Sequence, residues 1–145
     1  MNVHPDFNDF VKALKQHEVE FVIVGAFALA FHGQPRSTGD MDVWIKPTAA
    51  NAKVLLAALD TFGFKSVSIS EQDILSGKII QLCFPPVRID LISALDGLSA
   101  DEVWDDRTSG KLGEHDVWYL GKAAFIKNKR AMGRHKDLAD IESLE

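Results

Sequence analysis

The stretch Asp40-Met41-Asp42-Val43-Trp44-Ile45 decides the fold, because it places two carboxylates at the entrance of an apolar β-strand. Side chains two residues apart on a strand point to the same face, about 6.5–7 Å from each other. Asp40 and Asp42 can therefore bind the same one or two hard cations, and Mg²⁺ prefers oxygen ligands of this kind. A pair of solvated acids at the start of a strand is the alternative, and the stretch alone does not distinguish the two.

A third carboxylate interrupts the apolar strand Val87-Arg88-Ile89-Asp90-Leu91-Ile92. Burial of a lone carboxylate is costly unless a cation or hydrogen-bond donors compensate its charge. Arg88 has the same strand parity as Asp90 and could be that partner. If Asp90 instead faces Asp40 and Asp42, three carboxylates converge, and a bound metal would be needed to stabilise that density of charge.

The order of the predicted elements indicates the fold class. Helical spacing of apolar residues, capping residues and β-branched runs define these elements. We expect helices over residues 5–17, 26–32, 48–62, 98–104, 123–131 and 136–144, and strands over residues 21–24, 41–45, 79–84, 87–92 and 117–120. The order predicts an α+β (mixed α/β) domain over residues 1–145, with a mixed sheet, helices mainly on one face, and the three tryptophans in the core.

Composition limits the class of protein. The 145 residues are 46% hydrophobic and 26% charged, which is typical of one soluble globular domain. A net charge of -5 excludes a uniformly basic nucleic-acid coat, and the single cysteine excludes a disulfide framework and a multi-Cys zinc site. The longest apolar stretch, residues 21–31, is short of the about 20 residues that span a membrane, so we expect a cytoplasmic protein without a membrane partner.

Two further segments could bind phosphate. Val24-Gly25-Ala26 joins a buried strand to a helix, whose N-terminal N–H groups suit an anion, although simple packing explains a lone glycine turn equally well. Arg36-Ser37-Thr38 precedes the acidic pair: Arg36 could hold a γ-phosphate or balance Asp40, and the hydroxyls could cap the loop or touch a phosphate.

Near the end of the chain, residues 122–136 carry six of the 16 Lys and Arg side chains and no acid. Such a segment can be a solvated helix face, or a contact for a triphosphate or a nucleic acid. Asp137 and Asp140, which follow it, are expected to be structural and to pair with Arg134.

Together these motifs resemble the minimal nucleotidyltransferases of the DNA polymerase β-like superfamily, among them antitoxins and AbiE-type abortive-infection toxins. The resemblance rests on Val24-Gly25-Ala26, Asp40-Met41-Asp42-Val43, Ile89-Asp90-Leu91 and residues 128–142. It implies that Asp40, Asp42 and Asp90 are catalytic and bind two Mg²⁺ or Mn²⁺ ions. It also implies that the nucleotide is bound by Gly25, Ala26, Arg36, Ser37, Thr38, Lys129 and Arg134. The family has Gly or Ser at the position of Ala26, so this chain lacks a hydroxyl contact there but keeps the backbone N–H.

The activity that this resemblance implies is transfer of a nucleoside monophosphate from an NTP to a protein or RNA hydroxyl. A cognate toxin or antitoxin is the further partner we expect. The alternative is a catalytically weak module that binds a nucleotide or masks a partner protein, as an antitoxin does. The base, the acceptor and the oligomeric state stay open at this point.

Overall fold

A six-stranded mixed sheet carries the site residues of the computed structural model, which describes residues 4–33, 39–63, 69–84 and 87–144. Its helices are α1 (Pro5–Gln16), α2 (Gly25–Phe31), α3 (Ala49–Phe62), α4 (Glu71–Leu75), α5 (Ala100–Asp105), α6 (Lys122–Met132) and α7 (His135–Leu144). Its strands are β1 (Phe21–Val24), β2 (Asp40–Ile45), β3 (Ile80–Phe84), β4 (Val87–Ile92), β5 (Thr108–Leu112) and β6 (His115–Tyr119).

The strand order is β3-β4-β2-β1-β6-β5. β1 pairs with β2, β3 with β4 and β5 with β6 in antiparallel fashion, whereas β2 runs parallel to β4 and β1 parallel to β6. The predicted α+β fold with a mixed sheet is therefore confirmed, including the antiparallel pairing of β3 with β4. What positions the site is the parallel pair β2 and β4, because it sets the two acidic strands side by side.

Capping residues end the helices close to their predicted limits. The Thr48 hydroxyl accepts a hydrogen bond from the Asn51 N–H and so starts α3, which ends at Gly63 in the left-handed conformation. Gly133, with φ +67°, ends α6 in the same way and allows the chain to turn into α7.

Two elements were not predicted: the short helix α4, which starts at a capping box on Ser70, and the edge strand β5.

The core lies between the sheet and the helices, and is built from aromatic and branched side chains. Trp44, Phe10 and Phe125 are among its largest fully buried members. The prediction for Trp118 is wrong, because this side chain is 39% exposed. The Arg107 guanidinium lies 3.8 Å from the ring centre of Trp104 and 4.5 Å from that of Trp118, so it forms a cation–π stack on the surface.

Candidate membrane-crossing segments were sought among the helices of residues 4–33, 39–63, 69–84 and 87–144. None of them combines the length with the apolar character that a bilayer span requires.

Candidate active site

The register between β2 and β4 brings the predicted carboxylates together. Asp42 pairs with Asp90 across the two parallel strands, and Asp40 pairs with Arg88. Paired residues on neighbouring strands lie roughly 4.8 Å apart and point to the same face. All four side chains therefore project from one face, as the strand parity of residues 40, 42, 88 and 90 requires.

Asp42 is also fixed from the other side, by the turn after β1. Val24 pairs with Asp42 in the antiparallel ladder, so the next residue, Gly25, lies beside the Asp42 carboxylate. A Cβ atom on Gly25 would overlap the Asp42 Oδ2 atom, and Gly25 has φ +64°. Both the backbone conformation and the available space thus require glycine here. Val24 provides no side-chain cap for α2, so the first turn of this helix keeps its N–H groups for other acceptors.

A guanidinium group links two of the three acids. The Arg88 Nη2 atom lies 3.3 Å from Asp90 Oδ2 and 3.7 Å from Asp40 Oδ2. The Asp90 side chain is only 10% exposed, while those of Arg88 and Asp40 are 43% and 56% exposed. Arg88 is therefore a partner of Asp90, and Asp90 also faces the acidic pair. The sequence left open whether Asp90 meets Arg88 or the acidic pair, and in the structure it meets both.

The electrostatics of the acids show how closely they interact. The pKa of Asp42 is raised to about 6, chiefly by burial and then by the charge and hydrogen bonding of Asp90 and the charge of Asp40, against the opposing effect of Arg88. The Asp90 Oδ1 atom is buried and has no hydrogen-bond partner in the described part of the chain. A buried carboxylate oxygen without a partner is costly, and a bound cation would remove that cost.

A cavity of about 310 Å³ opens in front of these acids. Its lining contains every predicted site residue that the structure describes: Gly25, Ala26, Asp40, Asp42, Asp90, Lys129 and Arg134. The predicted phosphate contacts Arg36, Ser37 and Thr38 lie outside the described residues. The cavity thus joins the acidic strands to the basic segment of α6 and α7, which is distant in sequence.

The two predicted cations of this wall are already paired. Arg134 donates to Asp137 through Nε at 2.6 Å and through Nη2 at 3.2 Å, and the Asp137 side chain is fully buried. The Lys129 ammonium lies 3.4 Å from Asp137 and 3.6 Å from Asp140. These contacts hold the pKa of Asp137 down at about 2, chiefly through the hydrogen bond from Arg134. Pairing of Asp137 with Arg134 is as predicted, and this ion cluster fixes α7 against α6.

Sequence reasoning did not single out several residues that line the cavity. Lys136 is exposed, and its ammonium makes no ion pair with the described residues. Asn128 is buried and donates to the Asp96 carbonyl at 2.9 Å. Ile92, Leu95 and Met132 add an apolar wall. Lys136 belongs to the basic segment that composition had revealed, but no signal in the sequence separated it from its neighbours.

The donor set fits a hard divalent cation. Three carboxylates with one unsatisfied buried oxygen, and no Cys or His among the lining residues, match the preference of Mg²⁺ and Mn²⁺. Within the described residues, no three His, Cys, Asp or Glu side chains are drawn together closely enough to form a complete metal-binding group. The three acids are therefore neighbours, but their side chains do not form a closed set of metal ligands in this conformation.

Solved structures share this fold. The lincosamide antibiotic adenylyltransferase LnuA, in its lincomycin-bound form, has a TM-score of 0.56 at 14% identity over 99% of this chain and 98% of LnuA. A Thermotoga maritima protein assigned as a nucleotidyltransferase has a TM-score of 0.55 at 15% identity, over 98% of this chain and 90% of its own. No protein-family model and no curated protein sequence matches the chain. The chain therefore has the fold of these two nucleotidyltransferase structures, as predicted.

Proposed function

We propose that this chain is a nucleotidyltransferase that moves a nucleoside monophosphate from an NTP to a hydroxyl group of a protein or an RNA. The observation that carries the proposal is the single cavity in which Asp40, Asp42 and Asp90 face the cations of α6 and α7. A triphosphate with divalent ions has the complementary arrangement of charge. The fold shared with known nucleotidyltransferases supports the same activity.

Asp40, Asp42 and Asp90 would hold two Mg²⁺ or Mn²⁺ ions. When bound, such ions neutralise the triphosphate and stabilise the attacking and leaving oxygens of an in-line displacement. Asp42 and Asp90 are suited to this role because strand pairing fixes them side by side. The Asp90 Oδ1 atom has no hydrogen-bond partner among the described residues, so this carboxylate keeps a lone pair for a cation.

The reaction would form a bond between the acceptor oxygen and the α-phosphorus and break the bond to the β-phosphate oxygen. Pyrophosphate would leave, and Asp90 would accept the proton of the acceptor hydroxyl, the role that the resemblance gives to the third carboxylate. The first turn of α2, at Gly25 and Ala26, would donate backbone N–H groups to the β- and γ-phosphates.

The cations Lys129, Arg134 and Lys136 would stabilise the fold, bind the nucleotide, or do both. Lys129 and Arg134 both line the cavity, so each can contribute charge to a bound triphosphate while keeping its carboxylate partners. Lys136 has no such partner among the described residues and can contact phosphate without breaking an ion pair. The predicted loop contacts Arg36, Ser37 and Thr38 remain part of this proposal on the resemblance alone.

For the acceptor we propose a protein or RNA hydroxyl, with a cognate toxin or antitoxin as partner, in a reducing cytosol. LnuA is named for a different acceptor class, a lincosamide antibiotic.

The test is to incubate the protein with each labelled NTP and Mg²⁺ or Mn²⁺, offering in turn RNA, the neighbouring gene product and lincosamides. We expect label transfer that Asp42→Asn lowers at least about a hundredfold, the scale of losing a charge-stabilising group.

Asp60→Asn is the matched control, since Asp60 is an exposed acid of α3 outside the cavity lining and its substitution should leave transfer unchanged. Transfer by wild type no faster than by Asp42→Asn, with every NTP and every acceptor, would refute the enzymatic proposal.

A second candidate is a module that binds a nucleotide or a protein partner without efficient catalysis. Two observations favour it: Ala26 offers no hydroxyl, and the Lys129 and Arg134 charges are already compensated by Asp137 and Asp140. Calorimetry with NTP and Mg²⁺, together with the label-transfer assay, separates the candidates. Absence of measurable nucleotide binding, together with a tight complex with a neighbouring gene product, would support the module and exclude the enzyme.

A further inference from the structure

Arg88 contacts two of the three acids that would hold the metal ions. We propose that Arg88 is an internal counter-ion, whose guanidinium group compensates Asp40 and Asp90 in the metal-free protein and must withdraw from them when divalent ions bind. The inference rests on the proposed metal-dependent function of the same site, and it assigns to Arg88 the control of metal occupancy.

The position of Arg88 follows from the strand register. Arg88 pairs with Asp40, and its backbone N–H donates to the Gly39 carbonyl at 2.7 Å, so its Cα cannot leave the mouth of the acidic site. Its side chain has the same parity as Asp90, two residues along β4. Any conformer of Arg88 therefore starts from a Cα atom that lies opposite Asp40 and two residues before Asp90.

One nitrogen atom serves both acids. The distances from Nη2, 3.3 Å to Asp90 and 3.7 Å to Asp40, exceed the about 2.7–2.9 Å of a strong charge-assisted hydrogen bond. The guanidinium is thus shared between two acceptors and optimally bonded to neither. A divalent ion competes with such a contact more easily than with a bidentate pair, because less binding energy is lost.

Arg88 also has a route out of the site. Its side chain is 43% exposed, whereas Asp90 is 10% exposed, so the cation lies at the solvent side of the acid it contacts. Its buried Nε atom has no hydrogen-bond partner in the described part of the chain. Rotation toward water would let Nε bond to solvent and would remove the guanidinium from both carboxylates.

The consequence is that free metal binds weakly and metal complexed to a triphosphate binds well. A free ion must displace Arg88 on its own, while a metal–nucleotide complex adds contacts to α2 and α6. Removal of the Arg88 charge should therefore tighten binding of the metal alone, whereas a residue that only orients the acids should weaken it when removed.

The test is titration of the nucleotide-free protein with Mn²⁺, with free Mn²⁺ measured by electron paramagnetic resonance. We expect Arg88→Met to bind Mn²⁺ about five- to tenfold more tightly than wild type, the fold-change that corresponds to the loss of two ion pairs of a half-exposed guanidinium. Arg88→Lys keeps the charge and should stay within about threefold of wild type. Lys53→Met, on an exposed position of α3, makes the same change in net charge away from the cavity and should change the affinity by less than about twofold.

Unchanged or weaker Mn²⁺ binding by Arg88→Met, relative to Lys53→Met, would overturn the proposal. If Arg88→Met does not fold, the wild type still provides a measurement. The Arg88 Nε–Hε signal in a nitrogen–proton spectrum, identified by its absence from Arg88→Lys, should shift saturably as Mg²⁺ is added. A signal that stays constant while backbone amides of β2 respond to Mg²⁺ would equally overturn it.

Failure of this inference and failure of the proposed function give different results. Tighter Mn²⁺ binding in Arg88→Met, without label transfer in any acceptor assay, supports the counter-ion and removes the enzyme. Label transfer that depends on Asp42, with Mn²⁺ affinity independent of Arg88, supports the enzyme and removes the counter-ion.

Discussion

Gly25 is the residue at which the fold and the candidate site constrain each other most directly. A Cβ atom there would overlap the Asp42 carboxylate, and φ is +64°. We expect Gly25→Ala to lower the free energy of unfolding by about 2–5 kcal/mol: roughly 1–2 kcal/mol for a left-handed residue with a side chain, and roughly 1–3 kcal/mol for overpacking against Asp42. Urea unfolding, followed by circular dichroism, measures this loss.

Gly133 offers a matched control, because it has φ +67° and a Cβ atom there would come no closer than 3.7 Å to the Arg130 carbonyl oxygen. Gly133→Ala should therefore cost only the conformational part, about 1–2 kcal/mol. The difference between the two variants isolates the contact with the Asp42 side chain.

A double-mutant cycle tests the same contact independently. Truncation of Asp42 to alanine removes the overlapping atoms, so Gly25→Ala should cost about 1–3 kcal/mol less in the Asp42→Ala background than in wild type. Equal costs at Gly25 and Gly133, or additive effects in the cycle, would refute the packing of Gly25 against the carboxylate.

Three further predictions follow from the ion cluster, the cavity and the start of α3. Arg134 holds the pKa of Asp137 at about 2, below the ordinary 3.8, so this carboxylate stabilises the fold above pH 4 and the contribution is lost as pH falls through about 2. Since Arg134 is half-exposed, we expect a loss of about 1 kcal/mol in urea unfolding between pH 4.5 and 2, which Asp137→Asn abolishes. Lys136→Met should weaken NTP binding in calorimetry without changing the melting temperature, whereas Lys129→Met should lower the melting temperature, because Lys129 is 12% exposed between two acids. Asn51→Ala should cost about 2–3 kcal/mol in urea unfolding, because buried Asn51 satisfies both the N–H and the carbonyl of Glu20.

Each of these three expectations has a contrary result. The same pH profile in wild type and Asp137→Asn would show that Asp137 is not the group that titrates. Equal nucleotide affinity in Lys136→Met and wild type would place the triphosphate elsewhere in the cavity. A cost below about 0.5 kcal/mol for Asn51→Ala would mean that water replaces its hydrogen bonds.

The acidic site was largely predictable from the sequence, because strand parity is local information. Asp40 and Asp42 had to share a face, and so did Arg88 and Asp90. Which strands are neighbours is not local information, and the sequence therefore left open whether Asp90 met Arg88 or the acidic pair. The register of β2 with β4 supplies that information, and it places Asp90 beside both Arg88 and Asp42.

The missed elements have a different physical cause. β5 has only one buried side chain, Leu112, and no alternation of apolar and polar residues. It is a strand because β6 provides hydrogen bonds along one edge, which no periodicity encodes. α4 has five residues and buries only Ile74, so its sole clear signal was the capping box between Ser70 and Asp73.

The basic segment shows where composition stops being informative. Its charge predicted a cation-rich wall, and the cavity contains one. The division of that charge depends on Asp137 and Asp140, whose contacts join two helices across the turn at Gly133. Only three-dimensional proximity distinguishes Lys136 from the cations that these acids already hold.

Ladder pairing between β2 and β4 has a consequence for how this protein can change over generations. Because neighbouring positions on a strand face opposite sides, deletion of a single residue between Met41 and Ile45 that slides the strand by one position would turn Asp42 away from Asp90 and carry apolar side chains outward. Insertions in the connections outside the strands leave that alignment intact. Length variation among descendants of this chain should therefore accumulate in the connections, while β2 and β4 tolerate substitution but neither gain nor loss of a residue.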